Sequence, residues 1–215
     1  MGNFNYNAYS FVCDQYAFRS WFLFGEQPAY SLQDAYVAGL KPLDNYTTSV
    51  VAADPLHVGQ NPWPDLSQWT VDTLTLGREF QGNDQMGYKV ALCERCTAIY
   101  LAMFANCLIF SIRGVRGTLR PPRAWRYILI GMIPIGIDGF TQLLSKPPFN
   151  VFPLYESTPL MRTLTGGLFG LMSAWLVLPS FEASMYDARL EVEAKLVAWR
   201  QRQNSVHGAK RHIRH

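Results

Sequence analysis

Three of the four cysteines in this chain have a spacing suited to metal or thiol chemistry. Cys93 and Cys96 form a Cys-x-x-Cys motif in the stretch ALCERCTAIY, and Cys13 lies near the N-terminus. Thiolates in such a motif bind metal ions, pair as a disulfide or exchange disulfides with other proteins. If the motif begins a helix, the free N–H groups and the helix dipole lower the pKa of its first thiol. The motif is therefore the first candidate site.

Three kinds of chemistry are open to Cys13, Cys93 and Cys96. In an oxidising compartment, any two of them could form a disulfide. Zinc prefers four ligands, and these residues provide three. His57 is the one histidine among residues 1–96, which are expected below to lie on one side of a membrane, so it is the candidate for the fourth ligand. Thiol exchange has less support, because no βαβ pattern surrounds the motif. We expect a disulfide or free structural thiols and no metal, with Cys107 as a small apolar filler.

Asp138 is the second candidate, because it is a charged residue inside an apolar segment. A charge in a membrane costs about 2.5 to 3.5 kcal/mol on insertion scales unless it is paired or neutral. Thr141 and Gln142 follow it at the i+3 and i+4 positions of a helix. Arg162, at the start of the next apolar segment, is the expected ionic partner, and a pair of Asp138 with the backbone is the alternative. Asp138 would then either fix helix packing or line a polar pocket for a lipid headgroup, a quinone ring or a proton.

Three apolar segments, at 97–112, 127–144 and 164–181, must position these residues. Each is shorter than the about 20 residues that a membrane-spanning helix needs. Buried helices of a soluble protein are therefore the alternative. The connector at 113–126 has five Arg and no acid, which is typical of a cytoplasmic loop between two spans. The sequence thus predicts an all-α membrane protein with three transmembrane helices.

The distribution of charge predicts the orientation. Residues 1–96 carry five Lys or Arg against ten Asp or Glu, whereas residues 182–215 carry seven basic residues against four acidic ones. With the Arg-rich loop inside, the acidic region lies outside and the basic tail lies inside. We therefore predict a multi-pass cell-membrane protein with an extracytoplasmic loop-and-helix cap at 1–96, a three-helix transmembrane region at 97–181 and a cytoplasmic amphipathic helix and basic tail at 182–215.

The two flanking regions have different expected structures. In the cap, Pro, Asn and Gly separate a short helix that starts at Ser31 from a second helix between residues 65 and 82, and strand alternation is rare. The segment 181–203 places apolar residues at helical spacing among charges. This pattern predicts an amphipathic helix that lies on the inner membrane surface or on a partner.

The predicted topology brings polar residues from separate segments to one level near the outer membrane surface. Gly166, Gly167 and Gly170 give the third span a face of small residues, which would let the helices approach closely there. Polar groups inside such a contact need partners, so we expect a hydrogen-bonded network. Its expected members are Arg19, Ser20, Arg95, Thr97, Tyr100, Asp138, Gln142, Arg162 and Thr163.

Four blocks of the sequence occur in a recognisable order: FVCDQYAFRSWFLFG at 11–25, GYKVALCERCTAIY at 87–100, IDGFTQL at 137–143 and RTLTGGLFGL at 162–171. Together they resemble a family of small prokaryotic integral-membrane proteins classed as a domain of unknown function. Its pattern is Cys-His-Gln, Arg-Ser-Phe and Cys-x-Arg-Cys-Thr-Gly-Ile-Tyr, and this chain departs from it at Asp14 and Ala98. The resemblance implies the membrane topology and the location of a site, but no reaction.

Familiar catalytic motifs are missing, including a Walker loop, a Rossmann glycine motif, His-Glu-x-x-His and a serine nucleophile elbow. We therefore expect a non-enzymatic accessory or assembly subunit of a larger integral-membrane complex, for example one of electron transport. Its partners would be other membrane subunits and lipid, without nucleic acid or a cofactor. The alternatives are a small transporter or membrane enzyme with a pocket around Asp138, which could hold a quinone near the outer leaflet, and a thiol-redox protein that uses Cys93 and Cys96.

Overall fold

A computed structural model describes residues 13–32, 39–46, 71–116, 118–145 and 155–212, together with Tyr6, Tyr9, Phe149, Val151 and Pro153, and at residues 44, 72 and 203–212 it describes the backbone alone. The short helix predicted after Ser31 and the side chain of His57 lie outside these residues.

The described residues are mostly helical, as predicted, but the fold is not all-α, because the N-terminal region contains a small antiparallel sheet. The strands are β1 (Ser20–Leu23), β2 (Gly82–Asn83) and β3 (Gly87–Cys93), and β3 is paired with both of the others. The register places Ser20 opposite Cys93. Sequence reasoning missed this sheet because its main pairing joins segments that are far apart in the chain.

The sheet and the segments around it enclose a hydrophobic core. Two T-shaped ring contacts organise it, Phe22 against Tyr30 and Tyr30 against Tyr46. Helix α1 (Val71–Glu79), which falls within the predicted range 65–82, packs Leu74 and Leu76 against this core. The buried members of the core are Ala17, Phe18, Phe22, Tyr30, Leu32, Leu43, Tyr46 and Met86.

Four helices follow the sheet: α2 (Glu94–Phe110), the short α3 (Arg113–Arg116), α4 (Ala124–Leu144) and α5 (Pro159–His212). Among the described residues, two helices are long and apolar enough to cross a membrane, Ala124–Leu144 and Pro159–Arg202. Only 17% of the most apolar 18-residue stretch of α4 is buried, whereas the core helix of a soluble protein is mostly buried. Helix α2 has 17 residues and is shorter than these two.

Helix α4 changes its winding near its middle. Residues Tyr127–Met132 form a π-helical segment, and the α-helical part continues from Ile133 to Leu144. Pro134 has no N–H to donate to the carbonyl of Ile130, so the regular hydrogen-bond ladder is interrupted at this point. The local widening of the helix therefore has a cause in the sequence.

Helix α5 is a single helix of 54 residues that includes Pro179. The sequence predicts a third span that ends at residue 181 and a separate amphipathic helix after it. Instead, the helix continues without a break, over about 80 Å at 1.5 Å per residue. The predicted third span and the tail are therefore one continuous helix.

Helices α2 and α5 pack closely through two glycines. A Cβ atom at Gly166 would lie 2.6 Å from the carbonyl oxygen of Arg95, and one at Gly170 would lie 2.4 Å from that of Ile99. At Gly167 a Cβ would meet nothing within 4 Å. The predicted close approach thus involves Gly166 and Gly170, whereas Gly167 lies off the contact. Below the glycines, the Asn106 amide donates to the carbonyl of Leu171 at 2.8 Å.

Candidate functional site

The candidate site is at the junction of β3 and α2. Strand β3 ends at Cys93, which caps helix α2, because its sulfur accepts a hydrogen bond from the N–H of Cys96 at 3.5 Å. Pairing of β1 with β3 brings the N-terminal segment to the same place. The sulfur of Cys13 accepts a hydrogen bond from the N–H of Cys93 at 3.1 Å. The sheet therefore gathers residues from both ends of the cap.

The three sulfur atoms of Cys13, Cys93 and Cys96 lie within 4.8 Å of one another. Cys13 is buried, and the other two are partly exposed. All four cysteines of the chain are described and have free thiols, so the structure does not contain a disulfide, which was one of the two states expected from the sequence. The three sulfurs form one group in which no pair is singled out, whereas a disulfide would require two of them to bond.

The charge state of Cys13 is strongly influenced by its neighbours. Hydrogen bonds from the side chains of Cys93 and Cys96 lower the pKa of the Cys13 thiol to about 3, against an opposing effect of burial. A thiolate is both the nucleophilic and the metal-binding form of cysteine. Cys107 lies on an exposed face of α2 and does not take part in this group.

A buried ion-pair network lies next to the cysteines, with Arg162 of α5 at its centre. Arg162 is 2% exposed, and it donates to both Glu156 and Glu94, the latter at 3.4 Å. It also donates to the carbonyl oxygen of Phe18 in the cap at 3.4 Å. Arg19 completes this part of the network with two hydrogen bonds to Glu156, at 2.6 and 2.8 Å. These charges fasten the cap to α2 and α5.

Asp138 belongs to a second set of contacts within the same layer. It is 7% exposed and is paired with Arg95 of α2, so the predicted pair with Arg162 is wrong. Its other carboxylate oxygen accepts from the Ser157 hydroxyl and, at 3.5 Å, from the Gln142 amide, which also donates to Ser157. Which arginine faces which acid depends on the rotation of each helix about its axis, and the positions of residues in the sequence do not reveal that rotation.

The exposure of one tyrosine and the burial of two glutamates differ from what the sequence predicts. Tyr100 is 49% exposed on the surface of α2, so it does not join the predicted network. Sequence reasoning missed Glu94 and Glu156, which are 1% and 2% exposed. The signal for Glu94 was available, because an acid that stands between Cys93 and the apolar segment needs a buried cation. Glu156 lies in the connector before α5 and has no comparable signal.

Lys89 is another buried charge that the sequence did not reveal. It is in β3 and is 4% exposed, and its ammonium donates to the carbonyl oxygens of Gln15 and Arg78 at 2.8 and 2.7 Å and of Gly77 at 3.3 Å. Burial lowers the pKa of Lys89 to about 7. The lysine therefore ties β3, α1 and the segment that follows Cys13 into one unit.

A cavity of about 220 Å³ between α2 and α5 lies away from these groups. Its walls are almost wholly apolar, and Leu119 from the Arg-rich connector closes one side. It does not reach Asp138, so the quinone expected near that residue has no counterpart in this cavity. The residues that line it are Ala102, Ala105, Asn106, Ile109, Leu119, Leu171 and Trp175.

Comparison with known proteins identifies a relative in an archaeon. Over 100 residues, the chain is 31% identical to a protein of Methanocaldococcus jannaschii, "Uncharacterized protein MJ1492". The alignment includes 46% of this chain and 58% of the relative, so the chain spans less than two thirds of the length of the relative it matches. No solved structure matches the chain.

Residues 85–176 match the sequence model of a family described as "Predicted membrane protein (DUF2085)". This range contains β3, α2, α4 and the first part of α5, and therefore Cys93, Cys96, Asp138 and Arg162. The resemblance found in the sequence is confirmed. Over residues 85–176, the chain is similar to this family of predicted membrane proteins, for which the description gives no activity.

Proposed function

We propose that this protein is a non-catalytic assembly subunit of a larger membrane complex. The cap lies outside the cell membrane, α2, α4 and α5 cross it, and the end of α5 reaches into the cytoplasm to bind a partner. The observation that carries the proposal is the exposed tail of α5. The host complex, for which an electron-transport assembly is one candidate, is to be identified by experiment.

The three-span topology is supported by the apolar surfaces of the helices and by the charges between them. Large apolar side chains of α2 are exposed, including Leu101, Phe104 and Leu108 at 55–65%. At 1.5 Å per residue, α2 is about 26 Å long, close to the roughly 30 Å of a bilayer core. The connector 113–126, with its five Arg, joins α2 to α4 and fits the cytoplasmic face.

The buried network supports a structural role over a catalytic one. Asp138, Glu94 and Glu156 are all bonded to arginines, and Arg162 links the cap to α5. In a low-dielectric interior such pairs are retained where they hold one arrangement of helices, and removal of one partner is costly. Two polar atoms are left over, since Nε of Arg95 and Oγ1 of Thr97 are buried without a hydrogen-bond partner among the described residues.

The tail of α5 has apolar side chains that nothing in the described structure covers. Every side chain from 183 to 202 is exposed. Met185, Val192, Leu196 and Trp199 recur at helical spacing on one face and are 48–59% exposed. A stripe of this size on a helix that leaves the membrane marks a contact with another protein.

A protein partner fits this tail better than a lipid surface does. Helices that lie on a membrane are rich in Lys and Arg on their polar face. Over the length of the stripe, residues 182–202 instead carry as many acidic residues as basic ones, four of each. The helix of the predicted span also continues through Pro179 into the tail without a break. We therefore propose that a helical segment of another membrane subunit binds the apolar stripe.

The proposal is tested by native electrophoresis after gentle solubilisation of membranes from the natural host. We expect the chain to migrate in a species well above its own 24.4 kDa, together with proteins that mass spectrometry can identify. The double variant Val192→Ser/Leu196→Ser should release the chain from this species, because it removes the centre of the stripe.

The matched control is Glu191→Ser/Lys195→Ser, in the same part of α5. These residues form an exposed i, i+4 ion pair at 2.6 Å, and the complex should survive its loss. Migration of the unaltered chain alone or as a homodimer would refute the proposal. So would equal effects of the two double variants.

A further inference from the structure

Cys13, Cys93 and Cys96, whose sulfurs meet beside the start of α2, are arranged as a set of metal ligands. Their sulfurs come from two segments, the residues before β1 and the first turn of α2, and they converge within 4.8 Å. Two of the sulfurs accept backbone hydrogen bonds, Cys13 from Cys93 at 3.1 Å and Cys93 from Cys96 at 3.5 Å. Such hydrogen bonds stabilise negative charge on sulfur. The arrangement thus resembles a three-thiolate site.

We propose that Cys13, Cys93 and Cys96 bind one thiophilic d10 metal ion, Zn(II) or Cu(I), and that this ion fastens the cap to the outer end of α2. This inference does not depend on the assembly role, because the ligands are on the opposite side of the predicted membrane from the tail of α5. Each thiol that still carries a proton releases it when it coordinates the ion, and no electron transfer is involved.

The distances between the sulfurs suit this kind of ion. With a metal–sulfur bond of about 2.3 Å, sulfurs around one ion lie roughly 3.8 to 4.0 Å apart, in tetrahedral or trigonal geometry. The cluster reaches this size if its widest spacing, at most 4.8 Å, shortens by less than about 1 Å. Rotation of the partly exposed Cys93 and Cys96 side chains can supply this movement without a change in the backbone.

The ligand set favours soft metal ions over hard ones. Thiolates select Cu(I) and Zn(II), whereas Mg(II) and Ca(II) require oxygen ligands. Among the described residues, the group of mutually close ligands consists of these three sulfurs. A trigonal Cu(I) ion would be fully coordinated by them. A Zn(II) ion would keep a fourth position for water or another ligand.

The test uses the full chain, purified in detergent under reducing conditions and exposed to Zn(II) or to Cu(I), each followed by a competing chelator. Elemental analysis should then find about one equivalent of the preferred ion per chain. Cys13→Ser, Cys93→Ser and Cys96→Ser should each weaken retention of that ion by more than about tenfold, since even outer-shell changes at metal sites cost 10- to 100-fold. Comparison of the Zn(II) and Cu(I) samples shows which ion the chain retains.

Cys107→Ser is the matched control, because it removes a cysteine of α2 outside the cluster and should retain the ion in full. Folding of each variant is checked by gel filtration. Co(II) gives a second measurement on the unaltered chain, where thiolate ligation produces an intense charge-transfer absorption. The proposal is overturned if the unaltered chain retains no more Zn(II) or Cu(I) than Cys13→Ser, or if intact mass of the chain prepared without reductant shows that two of the three cysteines are joined as a disulfide. If Zn(II) is the retained ion, absence of the Co(II) absorption also contradicts thiolate ligation.

Discussion

Replacement of Arg162 by methionine tests whether the buried ion pairs hold the cap on the helices. The substitution keeps an unbranched side chain of similar length but removes the charge. Glu156 keeps the two hydrogen bonds from Arg19. Glu94, whose side chain is 1% exposed, loses the arginine that is bonded to it. The variant therefore leaves one carboxylate buried without a bonded cation.

Loss of one partner from a buried pair costs about 3 to 5 kcal/mol. For a chain of this size, 1 kcal/mol shifts the midpoint of thermal unfolding by about 2 to 4 °C, so we expect Arg162→Met to lower it by about 6 to 20 °C. Adding Glu94→Gln to this variant should recover much of the loss, because the isolated charge is then gone. A carboxylate that takes up a proton would place the single variant at the low end of this range.

The assay is thermal unfolding in detergent, followed by the loss of the monodisperse peak in gel filtration. Arg189→Met is the matched control, since Arg189 lies in the same helix and pairs with Glu193 at 2.9 Å, but its side chain is 76% exposed. An exposed pair contributes less than about 1 kcal/mol. If Arg162→Met and Arg189→Met lower the midpoint equally, the network does not stabilise the protein, and the structural role assigned to it is wrong.

Two other predictions can be checked with the same assay. Gly166→Ala and Gly170→Ala should each destabilise the protein by about 1 to 3 kcal/mol, because the new Cβ would meet backbone oxygens of α2 at 2.6 and 2.4 Å. Gly167→Ala, whose Cβ would meet nothing within 4 Å, should be neutral or slightly stabilising. Equal effects of the three substitutions would contradict the packing of α2 against α5. Lys89 has a pKa of about 7 when folded and an ordinary value of 10.5, so the unfolded chain binds more protons between these values. Stability should therefore rise from about pH 7 to pH 10 relative to Lys89→Met, and a parallel pH dependence of the two proteins would refute this.

Local patterns predicted the helical part of the fold. The apolar runs at 127–144 and 164–181 lie within α4 and α5, and the Arg-rich stretch 113–126 joins α2 to α4. The end of α5 was predicted less well. The sequence predicted a span that ends at residue 181 and a separate helix after it, but a helix can continue past Pro179 and its one missing hydrogen bond when the following residues are good helix formers.

Contacts between distant segments could not be predicted from one sequence. Pairing of Ser20 with Cys93 depends on how the whole cap folds, and no local pattern encodes it. Lys89 also reverses the usual strand pattern, because it is buried while its neighbour Tyr88 is 59% exposed. The carbonyl oxygens that accept from Lys89 come from two other segments, so its burial cannot be recognised in the sequence of β3.

The pairing of charges among α2, α4 and α5 shows the same limit. The sequence placed Arg95, Asp138 and Arg162 at one depth, and the structure pairs Asp138 with Arg95 and Arg162 with two glutamates. Residue spacing gives depth along a helix, but the relative rotation of helices depends on packing. Here the close contact at Gly166 and Gly170 fixes that rotation between α2 and α5.

The number of membrane crossings is tested most directly by labelling intact cells with a membrane-impermeant maleimide. Single cysteines would replace Asn45 in the cap and Ser205 near the end of α5, and each variant would be compared with the unaltered chain. With three spans, the cysteine at position 45 gains label in intact cells, and the cysteine at position 205 gains it only after the cells are opened. Equal labelling of both positions from the same side would mean an even number of crossings and would contradict an outer cap joined to a cytoplasmic tail.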